Sequence, residues 1–548
     1  MRSTVPVRNK RNILCVFPAY TPSFGTLSHA YRLMYRVRAF MPPQGLLLIA
    51  AYMPEGWPVR FVDENIRPAS RADLEWADAV LISGMHVQAP QIRDIARRAK
   101  AAGKVVVLGG PSVSACPDMY PEIDYLHLGE LGDATDQLVT QLDASVAPRP
   151  AQIRLTTGER VPLHDFPIPA YDLIPLARYL MCTLQFSSGC PYRCEFCDIP
   201  GLYGRQPRLK TPTQLIAELD AMCGQPGFPP VVYIVDDNFI GNRKATREML
   251  PHLIAWQKRR GYPMQFVCEA TLNIAKQTEI LELMQAASFL GLFVGIETPE
   301  ADALAAMRKD QNNSLPMLEA IRTLNRYGLE VTSGIILGLD TDSGDSEARL
   351  TDFIDLSQVP MLTINLLQAL PKTPLWDRLA RENRIIDDAG RESNVRFLRP
   401  YDEVLATWRR VIAHANDPEK LFARFHHQVD ATYVNRLVPP ARGKLSVANL
   451  GRAAVLIFNV VLHVGILSDY RRPFWRAALH ALRRGQVDAA LGMAFVAHHL
   501  IRFTREALRG EQNASFYSAR ERRERADEAR ATLRSRWRER MGSLRKSA

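Results

Sequence analysis

The stretch Gln185-Phe-Ser-Ser-Gly-Cys190-Pro-Tyr-Arg-Cys194-Glu-Phe-Cys197-Asp198 sets three cysteines in a Cys-x3-Cys-x2-Cys pattern directly after an apolar, strand-like run, Thr183–Ser187. Three thiolates on one short loop can each take one iron of a 4Fe–4S cubane. With no fourth cysteine nearby, the last iron is left for an exogenous ligand. The competing reading is a zinc knuckle completed by Cys182 or a distant histidine. Zinc sites usually present paired Cys-x2-Cys halves, and the chain contains no second half. Cys190, Cys194 and Cys197 are therefore the expected cluster ligands.

Outward from this loop, strand and helix signals alternate. The strand candidates are Thr183–Ser187, Val231–Asp236, Gln265–Ala270, Gly291–Ile296, Val331–Leu337 and Thr363–Ala369. Between them lie helical stretches at Thr211–Met222, Lys244–Arg260, Thr278–Ala287, Ser314–Tyr327 and Glu347–Leu356. Six such units suit a partial (β/α)6 barrel better than a flat sheet. Upstream, Asn12–Phe17, Val59–Asp63, Ala79–Ser83, Val105–Gly109 and Tyr125–Leu128 are apolar runs with helical stretches such as Gln91–Ala102 between them. That is the pattern of a doubly wound (Rossmann-like) parallel sheet. The expected α/β chain has this sheet over 1–145, a proline- and polar-rich linker over 146–178, the barrel over 179–395, and a helical region with a basic tail over 396–548.

A chain of 548 residues suits three or four such units, and 47% hydrophobic with 23% charged residues is ordinary for a globular protein. The N-terminal MRSTVPVRNKRNILCVF has no long apolar run and reads as a lead into a strand, not a signal peptide. This predicts a cytoplasmic protein whose eight cysteines stay reduced, where clustered cysteines bind metal more often than they pair. The charge is uneven. Residues 440–548 hold 22 Lys and Arg against 9 Asp and Glu, a surplus of 13 in a chain whose total is +11. A charge-driven partner should therefore meet that end.

The cysteine loop resembles that of the radical S-adenosylmethionine (SAM) superfamily. The resemblance implies that SAM chelates the open iron and that one-electron reduction releases a 5′-deoxyadenosyl radical. It places Phe196, just before the third cysteine, against the adenine. Val235-Asp236-Asp237-Asn238 ends the second strand where relatives bind the methionine amino group, although it departs from their common Gly-Gly-Glu. Glu269 and Glu297 end the third and fourth strands, where carboxylates reach the ribose hydroxyls or the methionine. Gly334-Ile-Ile-Leu-Gly338-Leu-Asp340 resembles the fifth-strand motif near the adenine. Taken singly, each acidic residue is as readily a solvated strand-end charge; as a set they mark the active face of such a barrel.

In the first sheet, Ser83-Gly84-Met85-His86, Gly109-Gly110-Pro111-Ser112 and Gly129-Glu130 lie at strand ends. Small residues there let the backbone approach a ligand, and they are also common in plain turns. Ahead of a radical SAM barrel, they resemble the cobalamin-binding domain of cobalamin-dependent radical SAM methyltransferases. The Asp-x-His-x-x-Gly motif that carries an axial histidine elsewhere is absent, since Asp124-Tyr-Leu-His127-Leu-Gly129 has different spacing. Cobalamin is thus expected without a histidine ligand, and His86 reads as a strand-end polar group. The methylthiotransferase class needs three further N-terminal cysteines, and only Cys15 and Cys116 precede the linker. Cys223 and Cys268 read as core thiols.

Further likeness is carried by Arg38-Ala-Phe-Met-Pro-Pro-Gln-Gly-Leu, Val62-Asp-Glu-Asn-Ile-Arg-Pro, Gly204-Arg205-x-x-Arg208-x-Lys210-x-Pro212 and Leu421-Phe-Ala-Arg-Phe. These resemble the hopanoid C-2 methyltransferase family. That resemblance implies methylation of an unactivated carbon of hopanoid ring A, with methylcobalamin as methyl source, two SAM per turnover, and an electron donor such as flavodoxin or ferredoxin. An sp3 carbon without an acidic proton cannot accept methyl by polar transfer, which is why hydrogen abstraction and cobalamin would share one chain. No residue is singled out as touching the acceptor. Ala453–Ser468 is apolar over 16 residues, too short to span a bilayer, and it is flanked by Arg452, Arg471, Arg472 and Arg476. It suits either a peripheral membrane surface or a helical region packed on the barrel. No nucleic-acid module accompanies the basic tail. A same-class enzyme acting on a tetrapyrrole or other metabolite, and a non-catalytic cobalamin and iron–sulfur sensor, remain as alternatives.

Overall fold

The computed structural model describes residues 2–388, 390–437 and 447–513. Its first sheet contains β1 (Ile13–Phe17), β2 (Val59–Asp63), β3 (Ala79–Ser83), β4 (Val105–Gly109), β5 (Tyr125–Leu128) and β6 (Ile153–Thr156), in the order β2-β1-β3-β4-β5-β6. All neighbours are parallel. Alternate residues feed two cores. Leu14, Val16, Val80, Ile82, Val106 and Leu108 pack under one helical layer. Ile13, Cys15, Ala79, Leu81, Val105 and Val107 pack under the other. Burial on both faces is what makes these strands unbroken apolar runs.

The segment read as a linker is more than that. It supplies β6, which pairs with β5 through Tyr125↔Ile153 to Leu128↔Thr156. Leu155 is its one buried residue, so an edge strand of this kind leaves no apolar run to detect. Farther along, Tyr171 and Tyr179 are buried, donating their hydroxyls to Thr183 O and Asp63 Oδ2, each at 2.9 Å. The segment therefore fastens the first sheet to the second.

The second sheet contains β7 (Cys182–Leu184), then, after the short strands β8 (Ser187–Ser188) and β9 (Arg208–Leu209), β10 (Val231–Ile234), β11 (Gln265–Ala270), β12 (Phe289–Glu297), β13 (Glu330–Leu337) and β14 (Met361–Leu366). Its order is β14-β13-β12-β11-β10-β7, all parallel, an open six-stranded barrel. In β11, Phe266, Cys268 and Ala270 are buried towards the core while Gln265, Val267 and Glu269 are half-buried. The period of two thus puts polar groups on one face only. β8 and β9 pair antiparallel and bracket the cysteine loop.

Helices follow from Tyr401. Trp408 donates its indole N–H to Ile364 O at 2.9 Å, anchoring them to β14. Leu421, Phe422 and Phe425 are core residues, and the buried Arg424 guanidinium donates to Ala415 O. The last described helix, Val487–Leu508, reaches back to the first unit, where Phe503 meets Phe24 with ring centroids 4.6 Å apart. No helix among the described residues is long and apolar enough to cross a membrane. The basic tail from Arg520 to Lys546 lies outside the described residues.

Candidate active site

Cys190, Cys194 and Cys197 are free and half-buried on the loop between β8 and β9. The loop is held by its backbone. Gly189 takes φ 98° and donates its N–H to Asp237 Oδ2 at 2.7 Å, and Cys190 N–H donates to Gly204 O at 3.2 Å. A Cβ at Gly189 would lie 3.0 Å from Gly204 O, so both conformation and space require glycine. Burial pushes the Cys190 and Cys197 thiols up, opposed by the backbone N–H groups of Tyr192 and Ile199. Gln311 Nε2 lies 3.4 Å from Cys194 Sγ. Asn238 is 1% exposed, and its amide sits close enough to Cys190 to lower the thiol without a well-aligned hydrogen bond to any group. Three thiols with N–H donors turned towards them, with the buried Asn238 amide close to Cys190, suit an iron–sulfur cluster. Cys182 is buried in β7, its Sγ 4.0 Å from Pro229 O.

The strand-end acids divide into two kinds. Asp236 accepts from Phe186 N–H at 2.7 Å, Ser187 N–H at 2.9 Å and Ser187 Oγ at 2.7 Å. It therefore braces the start of the cysteine loop. Burial raises it to about 7. Asp340 is likewise occupied, by Arg384 and by Arg378, whose Nη1 lies 2.8 Å away. Arg378 also grips Glu195 of the cysteine loop, at 2.7 and 3.1 Å. Asp237 and Glu269 are the looser groups, raised by burial to about 6 and about 7. Among the described residues, the Glu269 carboxylate accepts only from Tyr233 OH, at 3.1 Å.

Glu297 ends β12 at φ 66° and pairs with Lys309 Nζ at 2.5 Å, both side chains at or below 10% exposure. Lys309 also lies 5.4 Å from the Phe196 ring centroid. Gly334 faces this pair, since a Cβ there would lie 3.7 Å from Glu297 Oε2. Gly338, at φ 88°, turns the chain and leaves room for Phe397. Lys309, Gln311 and Asn312 escaped sequence reading. Lys309 caps, and Gln311 and Asn312 lie in, the short 3-10 helix Asp310–Ser314, too brief to show a periodicity, and only folding brings them to the cysteine loop and Gly295 O.

At the first sheet, Ser83, Gly84, Gly109, Gly110 and Gly129 come together on one edge. Gly110 has φ 92°, and a Cβ there would meet Ser83 Oγ at 2.5 Å and Gly84 N at 3.3 Å. Gly129, at φ 109°, donates its N–H to Ser114 Oγ at 3.0 Å. This backbone-lined edge suits a flat cofactor, and His86 beside it has a buried Nδ1 without a partner. His127 is engaged elsewhere, with Nε2 2.8 Å from Thr135 Oγ1. Glu130, expected among the cofactor contacts, bridges the two units. Its carboxylate holds Arg208 at 2.5 Å, Arg160 at 3.1 Å and Ser188 Oγ at 3.2 Å. Because Ser188 precedes the cysteine loop by two residues, the bridge sets the glycine edge against it. Lys372 adds a bond to Ser114 O. In the same motif, Lys210 is buried in an ion pair with Glu218.

Comparison with known proteins agrees with this geometry. Residues 33–139 match the B12 binding domain, 184–354 the radical SAM superfamily, and 373–513 a domain of unknown function. The fold resembles that of OxsB with aqua-cobalamin and S-adenosylmethionine bound (TM-score 0.58, 14% identity, 91% of this chain and 80% of that one). It also resembles TsrM from Kitasatospora setae with cobalamin and a [4Fe-4S] cluster (TM-score 0.55, 16% identity, 91% and 100%). A thiol loop on an open barrel, faced by a cobalamin-type edge, defines a cobalamin-dependent radical SAM methyltransferase. Its cofactors are a 4Fe–4S cluster, SAM and cobalamin. The chain is 57% identical over 515 residues to the hopanoid C-2 methylase of Rhodopseudomonas palustris, covering 94% of this chain and 97% of that protein. It is 33% identical to an uncharacterized methyltransferase of Synechocystis sp., covering 92% and 94%. The chain belongs to the hopanoid C-2 methylase family.

Proposed function

We propose that this enzyme methylates carbon 2 of ring A of a hopanoid. The observation that carries the reading is the 57% identity to the Rhodopseudomonas palustris hopanoid C-2 methylase, which extends over 94% of the chain and so includes the helical C-terminal region. Bacteriochlorophyllide methyltransferases match only 62–63% of the chain, at 23% identity.

In this reading Cys190, Cys194 and Cys197 hold the cluster. Phe196, Asp237, Asn238, Glu269, Glu297 and Gly334 surround SAM, and Ser83, Gly84, Gly109, Gly110 and Gly129 cradle cobalamin. When bound, these cofactors supply the hydrogen-abstracting radical and the methyl group. The chain supplies position. Lys309 holds one oxygen of Glu297, leaving the other towards Gly334 to accept from a hydroxyl or ammonium group. Glu130, Arg208 and Arg160 set the distance between the two cofactor edges. No general base is needed, since a hydrogen atom rather than a proton leaves the acceptor. A reductant such as flavodoxin or ferredoxin would serve the cluster, and the protein would work at the inner face of the cytoplasmic membrane.

Deleting the gene from a hopanoid-producing host should remove 2-methylhopanoids, and restoring it should return them. Unchanged 2-methylhopanoids with loss of a methylated tetrapyrrole would overturn the acceptor. A cofactor-loaded protein that forms no 5′-deoxyadenosine with any acceptor would point to a sensor.

A further inference from the structure

The loop that leaves β1 carries Arg32, Arg36 and Arg38, and Arg38 N–H donates to Arg178 O at 2.7 Å. These four arginines line a cavity of about 510 Å³ whose far wall is Val455 and Asn459 of the helix Val447–Val460. Asn459 Nδ2 donates to Leu33 O at 3.3 Å, which fixes the helix against the loop. Among the described residues, none of the four guanidinium groups meets a carboxylate. Arg38 Nη1 donates to Val37 O, and Arg36 lies 4.9 Å from the Tyr35 ring centroid. Four cations around one cavity repel one another until an anion enters, and a guanidinium fork suits phosphate oxygens.

The helix that forms the far wall is buried on one side only. Val460 and Val464 are 5% and 0% exposed, while Val455, Ile457 and Phe458 are 42%, 48% and 62% exposed. Beyond the π-helical turn Val461–Ile466, Ile466 and Leu467 stand 55% and 65% exposed. Arg452, Arg471 and Arg472 are exposed at the two ends of this run. An apolar face that the described residues leave uncovered marks an interaction surface on a globular protein. A second copy of the chain is a poor occupant, because a two-fold contact would bring the arginine clusters together. An anionic bilayer matches both parts, with phosphates for the arginines and an acyl boundary for the apolar side chains.

We propose that this face docks the enzyme on an anionic lipid bilayer, with headgroup phosphate in the arginine cavity and Ile457, Phe458, Ile466 and Leu467 in the acyl boundary. The proposal deepens the hopanoid reading, in which the acceptor resides in a bilayer, by naming the surface that meets the lipid.

The test is sedimentation of full-length, cofactor-loaded protein with hopanoid-free vesicles of phosphatidylcholine, with and without phosphatidylglycerol. Binding should require phosphatidylglycerol. Each arginine near the surface contributes roughly fivefold to partitioning, so the Arg32→Gln/Arg36→Gln/Arg38→Gln protein should bind on the order of a hundredfold more weakly. Ile457→Ser/Phe458→Ser, with every arginine intact, should also weaken binding at least fivefold. Retained iron–sulfur and cobalamin absorbance would show that both variants fold. Wild-type binding by both variants would overturn the proposal and leave residues 514–548 as the binding element. So would release of the wild type by millimolar inorganic phosphate alone, or a change in self-association without a change in vesicle binding. Failure of the hopanoid reading would appear separately, as no methylated product from hopanoid in detergent.

Discussion

Two candidate cofactor edges face each other across the Glu130–Arg208 bridge, and they are built in opposite ways. The edge of the first sheet is backbone, with Ser83, Gly84, Gly109, Gly110 and Gly129 carrying almost no side chain. The edge of the barrel is charge, with the half-buried Asp237 and Glu269 and the buried Glu297–Lys309 pair at the strand ends. A broad, flat cofactor is admitted by leaving atoms out. A small, charged one is oriented by placing opposed charges where water cannot screen them. The first edge should therefore fail by crowding and the second by loss of charge or of a metal ligand.

The largest effect should come from the thiols. Cys190→Ala, Cys194→Ala or Cys197→Ala should each abolish the iron–sulfur absorbance and 5′-deoxyadenosine formation, because a lost ligand opens a second iron site, while cobalamin retention on gel filtration persists. If Cys182→Ala had that effect and Cys190→Ala had none, the ligand assignment would fall.

The reciprocal result is expected at the other edge. In Gly110→Val the new Cβ would collide with Ser83 Oγ, at 2.5 Å, in a backbone with φ 92°. Such strain costs about 1–3 kcal/mol. Cobalamin retention should be lost while cluster absorbance stays. Retained cobalamin in this variant would break the contrast between the edges.

The buried pair should respond as charge. Lys309→Met leaves Glu297 unpartnered, and removing one member of a buried pair costs about 3–5 kcal/mol. SAM affinity and thermal stability should both fall. Glu297→Gln added to Lys309→Met should recover part of the stability but not the SAM affinity. Additive losses would mean that the two side chains do not act as a pair.

The smallest effect, and the sharpest contrast, is in pH. Burial holds His127, on the glycine side, down at about 4, so its neutral ring stabilises the fold above pH 6.5 and that stability is lost as pH falls towards 4. Burial holds Glu269, on the barrel side, up at about 7 against an ordinary 4.5. Its contribution is full below pH 4.5 and is lost as pH rises through 7. In cofactor-free protein, His127→Gln should flatten the acid limb of the stability profile and Glu269→Gln the neutral limb, each by on the order of 1–3 kcal/mol. Identical profiles for wild type and variants would contradict both shifts.

The same contrast decides what could be read in advance. Glycines at strand ends and a Cys-x3-Cys-x2-Cys loop are local features that stand out without partners, so the glycine edge and the thiol loop were visible along the chain. Strands buried on both faces are equally legible, since β1, β3 and β4 are continuous apolar runs. β6 was not, because an edge strand with one buried residue has no apolar signature. Glu130 and Asp236 stood out as residues, but their partners within the protein did not. A carboxylate at a strand end looks the same whether it meets a ligand or an arginine 78 positions away. Lys309, Gln311 and Asn312 were invisible, being isolated polar residues without spacing or periodicity. The amino-acid sequence by itself determined the order of the units, the cluster loop and the class of chemistry, because those rest on local spacing and on which runs must leave water. Only the tertiary structure decided which charges are neutralised, which remain free, and that Arg32, Arg36 and Arg38 share a cavity with Val455 of a distant helix. Electrostatic partnership depends on distance in space, and no separation along the chain specifies it.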